Sequence, residues 1–111
     1  MEQPASELSA VLTDNQAKSR FEIHVGGELA GFVQYTRRGD VITLVHTEVD
    51  DRFQGAGLAG QLARFSLDTA REQQWNVLPS CPYIRSWIER HPGYVDLVPE
   101  DRRAGFGLGE S

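Results

Sequence analysis

Val49-Asp50-Asp51-Arg52-Phe53-Gln54-Gly55-Ala56-Gly57-Leu58-Ala59-Gly60 is the stretch around which the chain reads. A β-branched, apolar run ends at Val49. A charged turn follows, and a glycine-rich loop then opens a segment of helical periodicity that continues to about Gln74. A strand, a glycine loop and a helix N-terminus in this order make an anion site. The first N–H groups of a helix have no internal acceptor, and the helix dipole places partial positive charge there. Glycine, having no Cβ, lets the backbone approach a phosphate closely. The expectation is a phosphate-bearing ligand seated on residues 54 to 59.

Working outward, the 111 residues allow one domain with one modest core. A net charge of −5 argues against general nucleic-acid affinity. The positive charge is nearly all arginine, Lys18 being the single lysine. Cys81 is the one cysteine, so no internal disulfide is available. No basic segment followed by an apolar run marks a signal peptide, and no stretch reaches the ~20 apolar residues that span a bilayer. These features predict a soluble, cytoplasmic protein with neither nucleic acid nor membrane as partner.

Before the loop, the chain reads as strands. Residues 1–10 are polar, contain Pro4, and read as a flexible lead-in; Val11 and Leu12 are candidates for packing, and Asp14-Asn15 looks like a turn. Arg20 to Val25 alternates, with Phe21, Ile23 and Val25 on one face. Gly26-Gly27 signals a hairpin, Leu29 to Thr36 returns, and Arg37-Arg38-Gly39-Asp40 turns into a third strand, Val41 to Val49. The three form an antiparallel meander. After the loop, Leu58, Leu62, Phe65 and Thr69 make the apolar stripe of a helix, with Ala59, Ala63 and Ala70 beside it. Trp75 to Leu78 is a short strand, parallel to the third by a right-handed crossover. A second helix follows, with Ser80 as its expected N-cap and Pro82 in its first turn; Ile84, Trp87, Ile88 and His91 share a face. Pro92-Gly93 ends it, Tyr94 to Val98 reads as a last extended segment, and residues 99–111 read as a flexible tail. The fold class is α/β, with residues 11–98 as the domain.

Three readings of the glycine loop compete. Gly55-Ala56-Gly57-Leu58-Ala59-Gly60 matches the dinucleotide pattern G-x-G-x-x-G, but three antiparallel strands precede it and five residues separate Val49 from Gly55. The acidic residue due roughly 20 positions on is also missing. The phosphate-loop pattern fails because no Gly-Lys-Ser/Thr occurs. A purely structural reading has the glycines turn the chain and admit close helix–sheet packing. The third reading is a resemblance. Arg52-Phe53-Gln54-Gly55-Ala56-Gly57 followed by Leu58-Ala59 resembles the R/Q-x-x-G-x-G/A motif of the GNAT superfamily of acyl-CoA-dependent N-acetyltransferases. His46-Thr47-Glu48-Val49, Leu78-Pro79-Ser80-Cys81-Pro82-Tyr83 and Arg90-His91-Pro92-Gly93-Tyr94 occur around it in the order seen in the small, single-domain members. The similarity covers roughly residues 18–98.

That resemblance implies a mixed sheet whose fourth and fifth strands splay apart, with acetyl-CoA in the cleft as co-substrate and an unidentified amine as acceptor. By the same resemblance, Gln54, Gly55, Ala56, Gly57, Leu58 and Ala59 offer N–H groups to the diphosphate and Arg52 adds charge. Thr47, Glu48 and Val49 present backbone to the pantetheine arm. Acyl transfer needs a held thioester, a polarised carbonyl and a deprotonated amine. Cys81, at a helix start with Arg85 one turn on, reads as a nucleophile, as a residue lining the thioester, or as an inert buried thiol. His46 and Glu48 share a strand face and read as proton acceptors, or as a hydrogen-bonded core histidine and a solvated carboxylate. Tyr83 reads as proton donor to the departing thiolate or as packing, and His91 as structural. His24, His46, Cys81 and His91 lack metal-ligand spacing, so no metal is expected. The competing function is a CoA-binding module without catalysis.

Overall fold

The computed structural model describes residues 10–108. Its elements are β1 (Ala10–Asn15), β2 (Arg20–Val25), β3 (Glu28–Arg38), β4 (Val41–Val49), α1 (Leu58–Gln73), β5 (Asn76–Pro79) and α2 (Pro82–Arg90). They form one five-stranded sheet in the order β1-β2-β3-β4-β5. The first four strands are antiparallel neighbours, and β5 joins β4 in parallel after the α1 crossover.

Two expectations need correction here. Asp14-Asn15 is not a turn. It completes β1, paired with Phe21 and Arg20 of β2, so the antiparallel part has four strands rather than three. Non-local bonds hold it: the Tyr35 hydroxyl donates to Asp14 at 2.6 Å, and the Asn15 amide donates to Glu22 at 3.0 Å. The rest of the expected lead-in, residues 1–9, lies outside the described residues. Tyr94 to Val98 is not extended either, for Pro92–Leu97 is a 3-10 helix. Contacts to α1 pin it, with Arg71 donating to both carboxylate oxygens of Asp96 and to the Gly93 carbonyl, and the Tyr94 hydroxyl donating to Asp68. Of the segment read as a tail, Glu100–Arg102 and Ala104–Phe106 form 3-10 turns, and residues 109–111 lie outside the described residues.

Both helices pack on one face of the sheet. Phe21, Ile23, Val33, Ile42 and Leu44 meet Leu58, Leu62, Ala63, Leu67 and Ala70 of α1 and Ile84, Trp87 and Ile88 of α2. The buried stripe of α1 is rotated from the expected one: Phe65 sits at its margin, and Ser66 lies inside, its hydroxyl donating to the Leu62 carbonyl at 2.7 Å. Where α1 crosses β3, Gly31 is required. A Cβ there would stand 2.7 Å from the Glu48 carbonyl oxygen and 3.3 Å from Leu62 Cδ1.

A bulge in β4 decides which residues face the helices. Tyr35 pairs with Leu44 but Gln34 with His46, so Val45 is an extra residue. Without it, His46 would follow Ile42 and Leu44 onto the buried face. With it, Thr47 and Val49 take that face, and His46 and Glu48 point to the side the helices leave open.

Candidate active site

The sheet opens between β4 and β5. The two strands pair only from Val41–Asn76 to Leu44–Pro79, and the last bond between them is the Cys81 N–H donating to the Leu44 carbonyl at 2.8 Å. Beyond it the chain turns into α2, while β4 runs on to Val49 paired with β3 alone among the described residues. Asp50 N–H donates to the Ala30 carbonyl. By the alternation of an antiparallel ladder, Val49 and Thr47 therefore turn their backbone N–H and C=O away from β3, toward the opening. The Val49 carbonyl is met by the protein itself, since the Gln54 side-chain amide donates to it at 2.9 Å.

The glycine loop stands at the head of this opening. Gly55 and Gly57 have φ of +85° and +76°, conformations that suit glycine, and no atom lies within 4 Å of where their Cβ atoms would be. Gly57 is the N-cap of α1 and makes no side-chain cap bond, so the 16-residue helix begins without a side-chain acceptor at its cap. Unpaired N–H groups and the positive end of a helix dipole make a donor set that suits an anion. Leu58 is buried beneath the loop and Ala56 is exposed on it. Arg52 is exposed beside the loop. Its guanidinium is held by Asp50 at 3.1 and 3.3 Å and by Glu28 at 2.8 Å, and these bonds raise its pKa and lower that of Asp50.

Cys81 is the N-cap of α2, in the place expected for Ser80, because its N–H is committed to Leu44 and its carbonyl accepts from Arg85 N–H. Cys81 is 3% exposed, and its thiol lies 3.2 Å from the Thr47 hydroxyl across the opening. The structure thus joins Cys81 to Thr47, a residue the sequence singled out only for its backbone. His46 and Glu48 lie on the opposite face, Nε2 to Oε1 at 3.2 Å, both more than half exposed. No hydrogen bond or ion pair links either to Cys81 among the described residues. Arg85 turns its charge to the Ser80 carbonyl, 3.3 Å away. The Tyr83 hydroxyl lies beside Gly60, 3.9 Å from where a Cβ would stand, so it reaches the first turn of α1. His91 stacks on Trp87 at 3.8 Å. Among the described residues no group of His, Cys, Asp and Glu is arranged to hold a metal ion, and no helix is long and apolar enough to cross a membrane.

Comparison with known proteins gives three kinds of match. A family model described as GCN5-related N-acetyl-transferase matches residues 20–97. Among curated proteins, Protein NATD1 of Homo sapiens is 35% identical over 52 residues, which is 47% of this chain and 46% of that protein. Protein NATD1 of Gallus gallus gives 35% over 52 residues, 47% of each chain. The chain spans about half the length of the curated relatives it matches. Among solved structures, a GCN5-like protein of Staphylococcus aureus superposes with a TM-score of 0.60 at 22% identity, over 84% of this chain and 89% of that one. A ribosomal-protein-alanine N-acetyltransferase of Brucella melitensis biovar Abortus 2308 gives 0.52 at 22%, over 83% and 61%. At such identity the two structures speak for the fold.

Proposed function

The chain belongs to the GCN5-related N-acetyltransferase family, and from that premise we propose that it binds acetyl-CoA and transfers the acetyl group to an amine. One observation carries the reading: a 16-residue helix starts at an uncapped glycine loop beside a strand whose free edge continues past its parallel neighbour. The loop N–H groups of residues 54 to 59 and the helix dipole hold the diphosphate. The free edge at Thr47 and Val49 pairs with the amide-bearing pantetheine arm, which displaces the Gln54 side chain from the Val49 carbonyl. That places the thioester where β4 and β5 part, next to Thr47 and Cys81.

The amine nitrogen then attacks the thioester carbonyl, the C–S bond breaks, and the thiolate takes a proton. His46, hydrogen-bonded to the Glu48 carboxylate on the open face, accepts the proton that the amine gives up. Cys81 lines the acyl site and the amine attacks directly. The thiol is buried and its hydrogen-bond partner is a hydroxyl, which is no base, whereas covalent catalysis by a thiol calls for one. The Tyr83 hydroxyl, beside the first turn of α1, gives the leaving thiolate its proton.

Isothermal titration with acetyl-CoA, followed by release of free CoA in the presence of candidate amines, tests this. Saturable binding with amine-dependent release is expected. Binding without release from any amine would leave a CoA-binding module, and absence of binding would remove the reading altogether.

A further inference from the structure

The sheet face opposite α1 and α2 carries Arg20, Glu22, Phe32, Gln34, His46 and Glu48 side by side across β2, β3 and β4. A shallow cavity of about 100 Å³ opens there, walled by Leu29 and Phe32 and rimmed by Glu48 and Asp50. The carboxylates of this face are not equivalent. Glu22 is buried and accepts from Arg20 and Asn15. Asp50 accepts from the Arg52 guanidinium and backbone N–H, and Glu28 accepts from Arg52 too. Glu48 has no arginine: among the described residues its partner is the His46 imidazole. The cavity therefore sets a carboxylate with spare acceptor capacity against an apolar wall.

The same face already displays what such a pair holds. The Arg20 guanidinium lies 4.8 Å above the Phe32 ring centroid while it bonds to Glu22. Ring face and carboxylate together favour a cation on a hydrocarbon stem. A neutral ligand would cover Glu48 without compensating its charge, which costs binding energy. Glu48 adjoins Thr47 on β4, the strand whose free edge lines the opening, and projects on the face opposite the contact between the Thr47 hydroxyl and Cys81.

We infer that the cavity bounded by Leu29, Phe32 and Glu48 receives the distal ammonium of a short alkyl diamine, whose other amine reaches the acyl group at the β4–β5 opening. This rests on the acyl-transfer reading above. The distal ammonium stays protonated throughout and the reacting nitrogen loses its proton, so one acceptor engages the face at two points.

The test is a heteronuclear NMR titration of the full chain, without acetyl-CoA, using 1,4-diaminobutane and its neutral analogue 1,4-butanediol. The diamine is expected to shift the Gly31, Phe32 and Glu48 amides saturably, with at least tenfold weaker effect from the diol. Glu48→Gln, an exposed change that keeps the fold, should abolish the diamine shifts, and Phe32→Ala should weaken them severalfold. Equal shifts from diol and diamine, no shift from the diamine, or full retention in Glu48→Gln would each overturn the proposal. A parallel titration with acetyl-CoA, read at Gly55 and Gly57, reports on the acyl-transfer reading separately. Failure there with diamine binding intact sinks the enzyme reading; the converse sinks only the acceptor.

Discussion

The Thr47 hydroxyl and the Cys81 sulfur, 3.2 Å apart, meet at the point where β4 and β5 stop pairing. Either atom can donate. The contact ties the free edge of β4 to the start of α2, and it makes the thiol part of the wall of the opening. A nucleophilic thiol in an acyl-transfer enzyme stands beside a base that is itself oriented by a third group. Here the His46 and Glu48 pair is on the other side of the sheet.

Direct attack by the amine therefore predicts that Cys81→Ala keeps substantial turnover and that CoA affinity barely changes, since the proposed phosphate donors lie on the other loop. Incubation of the wild type with acetyl-CoA alone should leave its intact mass unaltered. A single acetyl adduct on Cys81, labile to hydroxylamine and formed as fast as turnover, would establish the covalent route instead.

The glycine loop gives a prediction that separates binding from folding. Gly55→Glu adds a carboxylate to the exposed loop, where no atom lies within 4 Å of the new Cβ, so the Cβ meets no crowding and like charge repels the proposed diphosphate. We expect CoA binding to vanish in a folded protein. Because φ is +85°, the substitution also costs roughly 1–2 kcal/mol of backbone strain. Gly55→Ala carries the same strain without the charge and serves as the control. If Gly55→Glu binds CoA as Gly55→Ala does, the loop is not the phosphate site.

How much of this was legible beforehand depended on whether the cause was local. Phe21, Ile23 and Val25 alternate and Gly26-Gly27 turns the chain, so β2 and β3 follow from nearest neighbours. The glycine loop and the crossover to β5 are likewise written in a continuous stretch. Asp14 and Asn15 look like turn residues, and the ladder to β2 with the bonds to Tyr35 and Glu22 keeps them in a strand. Leu44-Val45-His46 contains nothing that announces a bulge, yet that one extra residue sends His46 and Glu48 to one face and Thr47 to the other. Cys81 displaces Ser80 as the N-cap for a tertiary reason, the bond of its N–H to Leu44. The cavity at Phe32 arises from side chains on two strands and had no linear signature.

Gly31 offers a test of the packing that holds α1 over the sheet. A methyl group at this position meets a backbone oxygen at 2.7 Å, and neither a carbonyl in a paired strand nor the buried Leu62 can easily withdraw. Gly31→Ala should destabilise the fold by about 1–3 kcal/mol, a fall in melting temperature on the order of 5 °C or more for a chain of this size. The adjacent opening should loosen with it and weaken CoA binding. An unchanged melting temperature would show that β3 and β4 shift apart at little cost.

The last prediction concerns acid. Burial of Glu22 would by itself raise its pKa, but the hydrogen bonds from Arg20 and Asn15 outweigh that and leave it below the ordinary value of 4.5. Asp96 is likewise lowered, first by its bond from Arg71. A carboxyl depressed in the folded state binds protons more readily when unfolded, so it stabilises the fold above the unfolded pKa. That contribution is lost as pH falls through the folded value. The urea midpoint should therefore hold steady from neutrality down to about pH 5 and decline below about pH 4. Glu22→Gln should cost roughly 1–3 kcal/mol at neutral pH, because it removes the charged partner of Arg20 on a largely buried site. In that variant the decline at low pH should be shallower, since Asp96 still titrates but residue 22 does not. Parallel declines for wild type and Glu22→Gln would mean that Glu22 carries no part of the acid sensitivity and that its bonds to Arg20 and Asn15 persist in, or contribute nothing beyond, the unfolded chain.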